Sequence, residues 1–268
     1  VLFIFVAILC SALYSLLIYI CLLYYPEPKS RKAFVISLAP TYIFIILGKS
    51  SSMALTHNIA DIRVNYRKHA LTEDSVAGHP IEQFKVWLQE AIEAQAEEPT
   101  ALVLSTVNAA GKPSARVVLL KGVDAQGFSF YTNYNSRKGQ ELDQHPYASL
   151  TFFWPALERQ VRIEGKVGRV SPQESDAYFH SRPRGSQIGA WVSPQSQVIP
   201  SRQVLEQREM ELAEEFAGTE LVPRPEHWGG FRLEPDYVEF WQGRPSRLHD
   251  RIAYELENGI WQVKRLAP

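Results

Sequence analysis

Two patterns of apolar and polar positions divide the chain. Residues 1–25, VLFIFVAILCSALYSLLIYICLLYY, contain no charge, and after Lys29, Arg31 and Lys32 a second apolar run, AFVISLAPTYIFIILG, covers residues 33–48. The first run is long enough to cross a bilayer as a helix, which takes about 20 apolar residues; the second is short for that and contains Pro40. Past Met53 the pattern changes. Residues 53–78 are polar and weakly periodic and are expected to form a mobile N-terminal arm. From Pro80 to Gln95, the residues Ile81, Phe84, Trp87, Leu88, Ala91 and Ile92 recur at helical spacing and predict an amphipathic helix.

Short strand-like runs follow. ALVLSTV (101–107), the turn NAAGK and SARVVLLKGV (114–123) predict a hairpin of buried strands, and after DAQG comes FSFYTN (128–133). Ser136 is placed to cap a short helix ending at His145, and YASLTFFW (147–154) and ERQVRIEGKVGRV (158–170) are further strands. Pro172 opens a helix through ESDAYFHSR, SQIGAWV predicts another, and residues 201–217 a charged amphipathic one. GGFRLEP (229–235), DYVEFWQG (236–243) and a last pair turning at Asn258-Gly259 read as strands. Consecutive antiparallel strands with helices inserted late predict a mostly β, α+β barrel. The order is not βαβα, and neither a G-x-G-x-x-G nor a G-x-x-x-x-G-K-[ST] sequence occurs, so dinucleotide-binding and P-loop folds are set aside.

Composition sharpens the division. The 268 residues are 46% hydrophobic and 21% charged with a net charge of −1, which excludes a disordered chain and gives no basic excess for nucleic acid. Residues 1–52 carry +3 and the remainder −4; both cysteines, Cys10 and Cys21, lie in the first part. The globular part therefore needs no disulfide and holds no thiolate metal site. Its histidines lack ligand spacing, and no metal is expected. No positive n-region or cleavage site marks residues 1–52 as a signal peptide. The reading preferred here is that this apolar extension stands outside the working protein, with Met53 as its start; the alternative is a membrane anchor facing the cytoplasm. Residues 79–268 are read as one domain.

Candidate chemistry lies at strand ends. Arg116 and Lys121 bracket VVLL, and Ser136 with Arg137 and Lys138 sets a hydroxyl and two cations at a helix start, where backbone N–H groups favour a phosphate. Tyr178, Arg182 and Ser186 recur every four residues, so a helical face continued past Pro183 would present a second phosphate site. Trp241 is followed by Arg247, His249, Asp250 and Arg251, and a neighbouring cation tends to hold an imidazole neutral.

The segments RVVLLKG, FYTNYNSRKG, LERQVRIEGKV, YFHSRPRGSQIGAWVSPQS, HWGGFR and EFWQGRPSRLHDR, ending in RLAP, closely resemble the pyridoxine/pyridoxamine 5′-phosphate oxidase family over residues 59–268. The resemblance implies an FMN-binding split β-barrel that works as a homodimer in the cytoplasm. It implies oxidation of pyridoxine or pyridoxamine 5′-phosphate to pyridoxal 5′-phosphate, with O2 as acceptor and H2O2 as product. Carried onto this sequence, the FMN contacts fall on Arg116, Val117, Val118, Leu119, Leu120 and Lys121, then on Tyr131, Thr132, Arg137 and Lys138. Gln160, Gln195, Ser196, Trp241 and Arg251 complete that set. The substrate contacts fall on Arg63, Tyr66, Lys121, Tyr178, Arg182, Ser186, Arg247 and His249, with Arg247 and His249 nearest the chemistry. Two alternatives carry weight: a related flavin oxidase of another aromatic acid, such as a phenazine precursor, and a non-catalytic module carrying FMN or pyridoxal phosphate.

Overall fold

The computed structural model describes residues 59–61 and 64–268. The apolar extension, the first part of the arm and Arg63 lie outside the described residues. Ile59–Asp61 form a single 3-10 turn belonging to the N-terminal unit, and Val64–Pro268 form the second unit, described here.

Nine strands make one antiparallel sheet: β1 Ala101–Val107, β2 Pro113–Leu119, β3 Gly122–Asp124, β4 Gly127–Asn133, β5 Tyr147–Trp154, β6 Arg159–Arg169, β7 Trp228–Gln242, β8 Asp250–Glu257 and β9 Ile260–Arg265. Their order is β2-β1-β5-β6-β7-β4-β3, with β8 joined to β7 and β9 to β8. The long strand β7 runs beside β6 throughout. On its other side it pairs with β4 through residues 228–233 and with β8 through 237–242. The sheet forks there.

Sequence alternation predicts two strands where β7 is one. Pro235 lacks an N–H and would ordinarily end a ladder. Here it sits at a bulge: Gly165 pairs with Pro235 and Glu164 with Tyr237, leaving Asp236 as the extra residue. Gly165 suits this close approach, because a Cβ there would stand 2.0 Å from the Glu234 carbonyl oxygen. The predicted buried hairpin is also corrected. β2 is an edge strand whose outer face is open, with Val117 67% exposed, since alternation alone does not say whether anything covers an apolar face.

Helix α1 (Pro80–Glu93) has Pro80 at its first position and His79 as cap, its Nδ1 accepting the Ile81 N–H. Its Ile81, Phe84, Trp87 and Ala91 enter the barrel core, where Phe84 meets Phe128 and Phe152 at 4.9 Å and Trp87 meets Phe240 at 5.1 Å. Ile92, expected on that face, is exposed. Helices α3 (Pro172–Ser181), α4 (Arg184–Val192) and α5 (Gln203–Glu215) build a second, smaller core of Phe179, Ile188, Leu212, Phe216 and Val222 against Trp228 of β7. Between β4 and β5, α2 (Arg137–Gln144) starts at Ser136, whose hydroxyl accepts the Gly139 N–H. The closing hairpin turns at Asn258 and Gly259, both at positive φ, as a tight two-residue turn requires. Among the described residues no helix is long and apolar enough to cross a membrane.

Candidate active site

Three groups of the expected residues are built by different elements. The first lies where β4 meets α2. Lys138 is buried, and its Nζ donates to Thr132 Oγ1 (3.1 Å), Ser136 Oγ (3.2 Å) and Gln195 Oε1 (2.8 Å). All three partners are neutral. Burial, reinforced by the charge of Arg116, brings the Lys138 ammonium down to about 8. Arg116 and Arg137 are occupied otherwise: both bond the buried carboxylate of Glu141, at 3.3 and 2.8 Å. Burial pushes that carboxyl up, but donated bonds from Ser114, Thr106 and Arg137 outweigh it and hold it at about 2. Arg137 therefore faces Glu141, while Lys138 is a buried cation whose partners carry no charge. That donor set fits a phosphate, which would supply the missing counter-charge.

The second group joins β4 to the helical lobe. Tyr131 stacks on Tyr178 with ring centroids 3.9 Å apart, and the Arg182 guanidinium lies 4.5 Å over the Trp228 ring. Nη1 of Arg182 is buried with no hydrogen-bond partner among the described residues, and burial lowers the guanidinium's pKa despite the nearby Tyr178. Burial likewise raises the Tyr178 phenol, and pushes Tyr131 up to about 12 with help from Glu174. The continuous helical face expected for Tyr178, Arg182 and Ser186 does not form. Arg182 ends α3 in extended backbone (φ −77°, ψ 150°), the conformation that a following proline imposes, and α4 restarts at Arg184. Ser186 and Lys121 are exposed, and among the described residues neither side chain makes a hydrogen bond. Ser196 is also exposed, at φ 72°.

The third group surrounds Trp241. Register places Gln160 opposite Trp241 and Trp241 opposite Arg251, so the three share a row on the outer face of the sheet. Next to that row, Val117, Val103, Thr151, Arg162 and Glu239 line up from β2 to β7. Leu119 and Phe153 widen the exposed apolar part of this face, while Leu120 is buried and Val118 packs against the core. Glu239 is buried beneath three donors. Arg251 grips it with two bonds (2.8 and 3.0 Å), Arg162 adds a third contact at 3.2 Å, and the Tyr237 hydroxyl donates at 3.2 Å. Burial pushes the Glu239 carboxyl up, yet the bond from Arg251 and the charges of Arg162 and Arg251 bring it below the usual carboxylate range.

The imidazole of His249 lies 4.5 Å from the Trp241 ring, and Tyr66 meets both rings at 5.8 and 5.9 Å. Nδ1 of His249 accepts the backbone N–H of Arg244 at 3.1 Å. The neutral ring therefore carries its proton on Nε2. Burial and the charge of Arg247 both lower the imidazole below its ordinary value. Arg247 itself is held in left-handed backbone at φ 61°, beside Ser246 at 58°. Sequence reasoning missed the carboxylates that organise these groups, Glu141, Glu239 and Glu158. Glu141 carries one local signal, its four-residue spacing from Arg137; Arg116, the arginines on Glu239 and the amides on Glu158 come from other elements.

Residues 88–214 match the family described as pyridoxamine 5′-phosphate oxidase, and residues 228–268 the pyridoxine 5′-phosphate oxidase C-terminal dimerisation region. The chain is 55% identical over 211 residues to pyridoxine/pyridoxamine 5′-phosphate oxidase of Synechocystis sp., covering 79% of this chain and 98% of that one. It is 57% identical to the protein of the same name from Cupriavidus taiwanensis, over 78% of this chain and 99% of the relative. Among solved structures, PhzG from Burkholderia lata in complex with tetrahydrophenazine-1-carboxylic acid superposes with a TM-score of 0.70 at 33% identity, over 74% and 98% of the two chains. An FMN-binding protein related to pyridoxamine 5′-phosphate oxidase, from Nostoc punctiforme, shares the fold at a TM-score of 0.57 and 16% identity, over 72% and 100%.

Proposed function

The chain belongs to the pyridoxine/pyridoxamine 5′-phosphate oxidase family, and on that premise we propose that it oxidises pyridoxine or pyridoxamine 5′-phosphate to pyridoxal 5′-phosphate. The cofactor is FMN, and the protein is a homodimer. Dioxygen takes the two electrons and leaves as hydrogen peroxide; the amine substrate also consumes water and releases ammonia. The reaction is placed in the cytoplasm.

Bound FMN supplies the two-electron acceptor. This chain's residues bind and orient. Lys138, with the Thr132 and Ser136 hydroxyls and Gln195, holds the cofactor phosphate. Arg116 and Arg137 stand behind it with their charge already shared with Glu141. Trp241, Gln160, Gln195, Ser196 and Arg251 flank the flavin, together with the strand from Val117 to Lys121 and with Tyr131. Arg182 carries the substrate phosphate, joined by Tyr178, Lys121 and Ser186, and so fixes the reacting carbon at the far end of the molecule. Tyr66, set against Trp241 and His249, would close over the substrate. Arg247 stabilises negative charge that develops as the alcohol or amine loses its proton. His249, protonated on Nε2, donates a hydrogen bond to the substrate and orients it, and is not the base.

The observation that carries the phosphate half of this reading is Arg182, a buried guanidinium nitrogen with nothing to bond. The likeness to PhzG raises a phenazine-type substrate as a second reading. An unphosphorylated acid would leave the Tyr178–Arg182 corner with less to do. Anaerobic addition of pyridoxine 5′-phosphate to the purified protein decides between them. It is expected to bleach the flavin absorbance within seconds, and unphosphorylated pyridoxine at the same concentration is expected to leave it unchanged. Equal bleaching by both would overturn the role of Arg182.

A further inference from the structure

We propose that Glu158 is a positioning residue, a latch that fixes the Tyr66 segment against the Trp241–His249 end of the site; the substrate-facing role of that segment rests on the oxidase reading above. Glu158 follows the 3-10 turn Pro155–Leu157 and adopts left-handed backbone, φ 56° and ψ 40°. A side chain pays in strain there, and glycine or asparagine would be the easier choice. The backbone does not ask for glutamate. The carboxylate has other work.

It is buried, and its Oε2 accepts two consecutive backbone amides of the arm, Arg67 N–H at 2.8 Å and Lys68 N–H at 3.0 Å. Neither amide belongs to a helix or strand, so this carboxylate is what satisfies them. The Lys68 ammonium adds a bond to the Ala156 carbonyl at 2.6 Å. The Glu158 carbonyl in turn accepts the Gly243 N–H at 2.7 Å and Gln242 Nε2 at 3.2 Å, which ties the latch to the end of β7 just past Trp241. Gly243 completes the seat. A Cβ on it would stand 2.7 Å from Cγ and 2.8 Å from Cβ of Tyr66, so the phenol ring occupies room that only glycine leaves. The sequence of contacts runs from carboxylate to the amides of Arg67 and Lys68, then to Tyr66, and from its ring to Trp241 and His249. Glu158 acts through Tyr66 and touches neither substrate nor flavin.

The test uses the FMN-loaded protein and four variants: Glu158→Gly, Glu158→Gln, Tyr66→Ala and the double Glu158→Gly/Tyr66→Ala. Glycine suits the left-handed backbone and removes the side chain with its carboxylate, while Glu158→Gln keeps the methylenes, so folding is kept. Expected for Glu158→Gly is a KM for pyridoxine 5′-phosphate raised about tenfold with kcat within about twofold, as for a lost orienting contact. Backbone amide exchange in residues 64–70 speeds up at least about tenfold, since exchange there tracks local opening. Glu158→Gln, which keeps a carbonyl acceptor, restores most of both. In the Tyr66→Ala background the glycine change adds nothing to KM, because the two residues act as one unit. Effects on KM that multiply, or a Tyr66→Ala protein with unchanged KM, would overturn the latch and leave the oxidase reading standing. A protein that fails to turn over pyridoxine 5′-phosphate at all would sink that reading instead. The exchange measurement still decides then: amides of Arg67 and Lys68 that stay protected in Glu158→Gly would show that the carboxylate does not hold the arm.

Discussion

Lys138 and Arg251 are both basic residues expected to face the same cofactor, and the protein satisfies them in opposite ways. At the β7–β8 corner, Arg251 closes on the buried carboxylate of Glu239 with two bonds, and its charge is met within the chain. At the β4–α2 corner, Lys138 is surrounded by a threonine, a serine and a glutamine, and its charge is unmet. The difference separates two jobs that sequence cannot tell apart. On the proposed reading, a cation paired internally holds the sheet, whereas one buried among neutral oxygens is kept for an anion from outside. Arg182 belongs with Lys138, and Arg116 and Arg137, through Glu141, belong with Arg251.

The largest effect that would break the contrast is at Lys138. Replacing it by Met is expected to weaken FMN binding by roughly a hundredfold or more, the worth of a buried charge-assisted contact to phosphate, read by quenching of flavin fluorescence. An unchanged dissociation constant would make Lys138 merely structural. The same residue sets a pH dependence. Its ammonium, brought down to about 8 without an anion, must take up a proton to bind phosphate above that pH. FMN affinity should therefore fall by up to about tenfold per pH unit above 8, and stay level from there down to about pH 6, where the phosphate monoester itself takes up a proton.

Arg182→Ala comes next. It is expected to raise KM for pyridoxine 5′-phosphate by roughly tenfold to a hundredfold while FMN content stays full, and loss of FMN instead would move Arg182 to the cofactor. Glu239→Gln tests the internally paired side. It leaves Arg162 and Arg251 facing a neutral amide and should cost about 2 kcal/mol, less than a fully buried pair because both arginines reach solvent. That corresponds to a melting temperature lower by roughly 4–8 °C with FMN affinity changed little. The folded-state carboxyl lies below its ordinary value, so its contribution is present at neutral pH and fades as pH falls through the folded value. The variant's stability should be the flatter of the two in acid. The smallest effect is at His249. Arg247→Ala removes one of the two influences that lower its imidazole, so its titration followed by NMR should move upward by a fraction of a pH unit. A downward shift would exclude Arg247 as a neighbour of that ring.

Much of the fold was legible because its signals are local. Strand alternation, Ser136 and Pro172 at helix starts and Asn258-Gly259 at the last turn each act within a few residues. Pro183 was legible too, and the break between α3 and α4 follows from it, but the four-residue recurrence of Tyr178, Arg182 and Ser186 outweighed it. The merging of two predicted strands into β7 turns on Asp236 and Gly165, a bulge that exists only once β6 lies alongside. The basic residues of the site stood out by clustering. Their carboxylate partners did not: Glu141 lies one helical turn from Arg137 but reaches Arg116 across 25 residues, and Glu239 meets Arg162 and Arg251 from neighbouring strands. Charge pairing at that separation is decided by the sheet and leaves no periodic trace.

The fork in β7 also has a bearing on how the chain is made. β5 can pair with β1, and β6 with β5, as soon as they leave the ribosome, but β4, apart from the short β3 beside it, must wait for residues 228–233. At about 5–20 residues per second that interval lasts roughly 5–20 s. Through it Phe128 and Phe130, both buried in the finished sheet, have no strand to close over them. Translation speed across residues 134–228 thus sets how long a nascent, half-zipped sheet is open to aggregation, and a chain stalled before Trp228 would be one for chaperones or proteases to find.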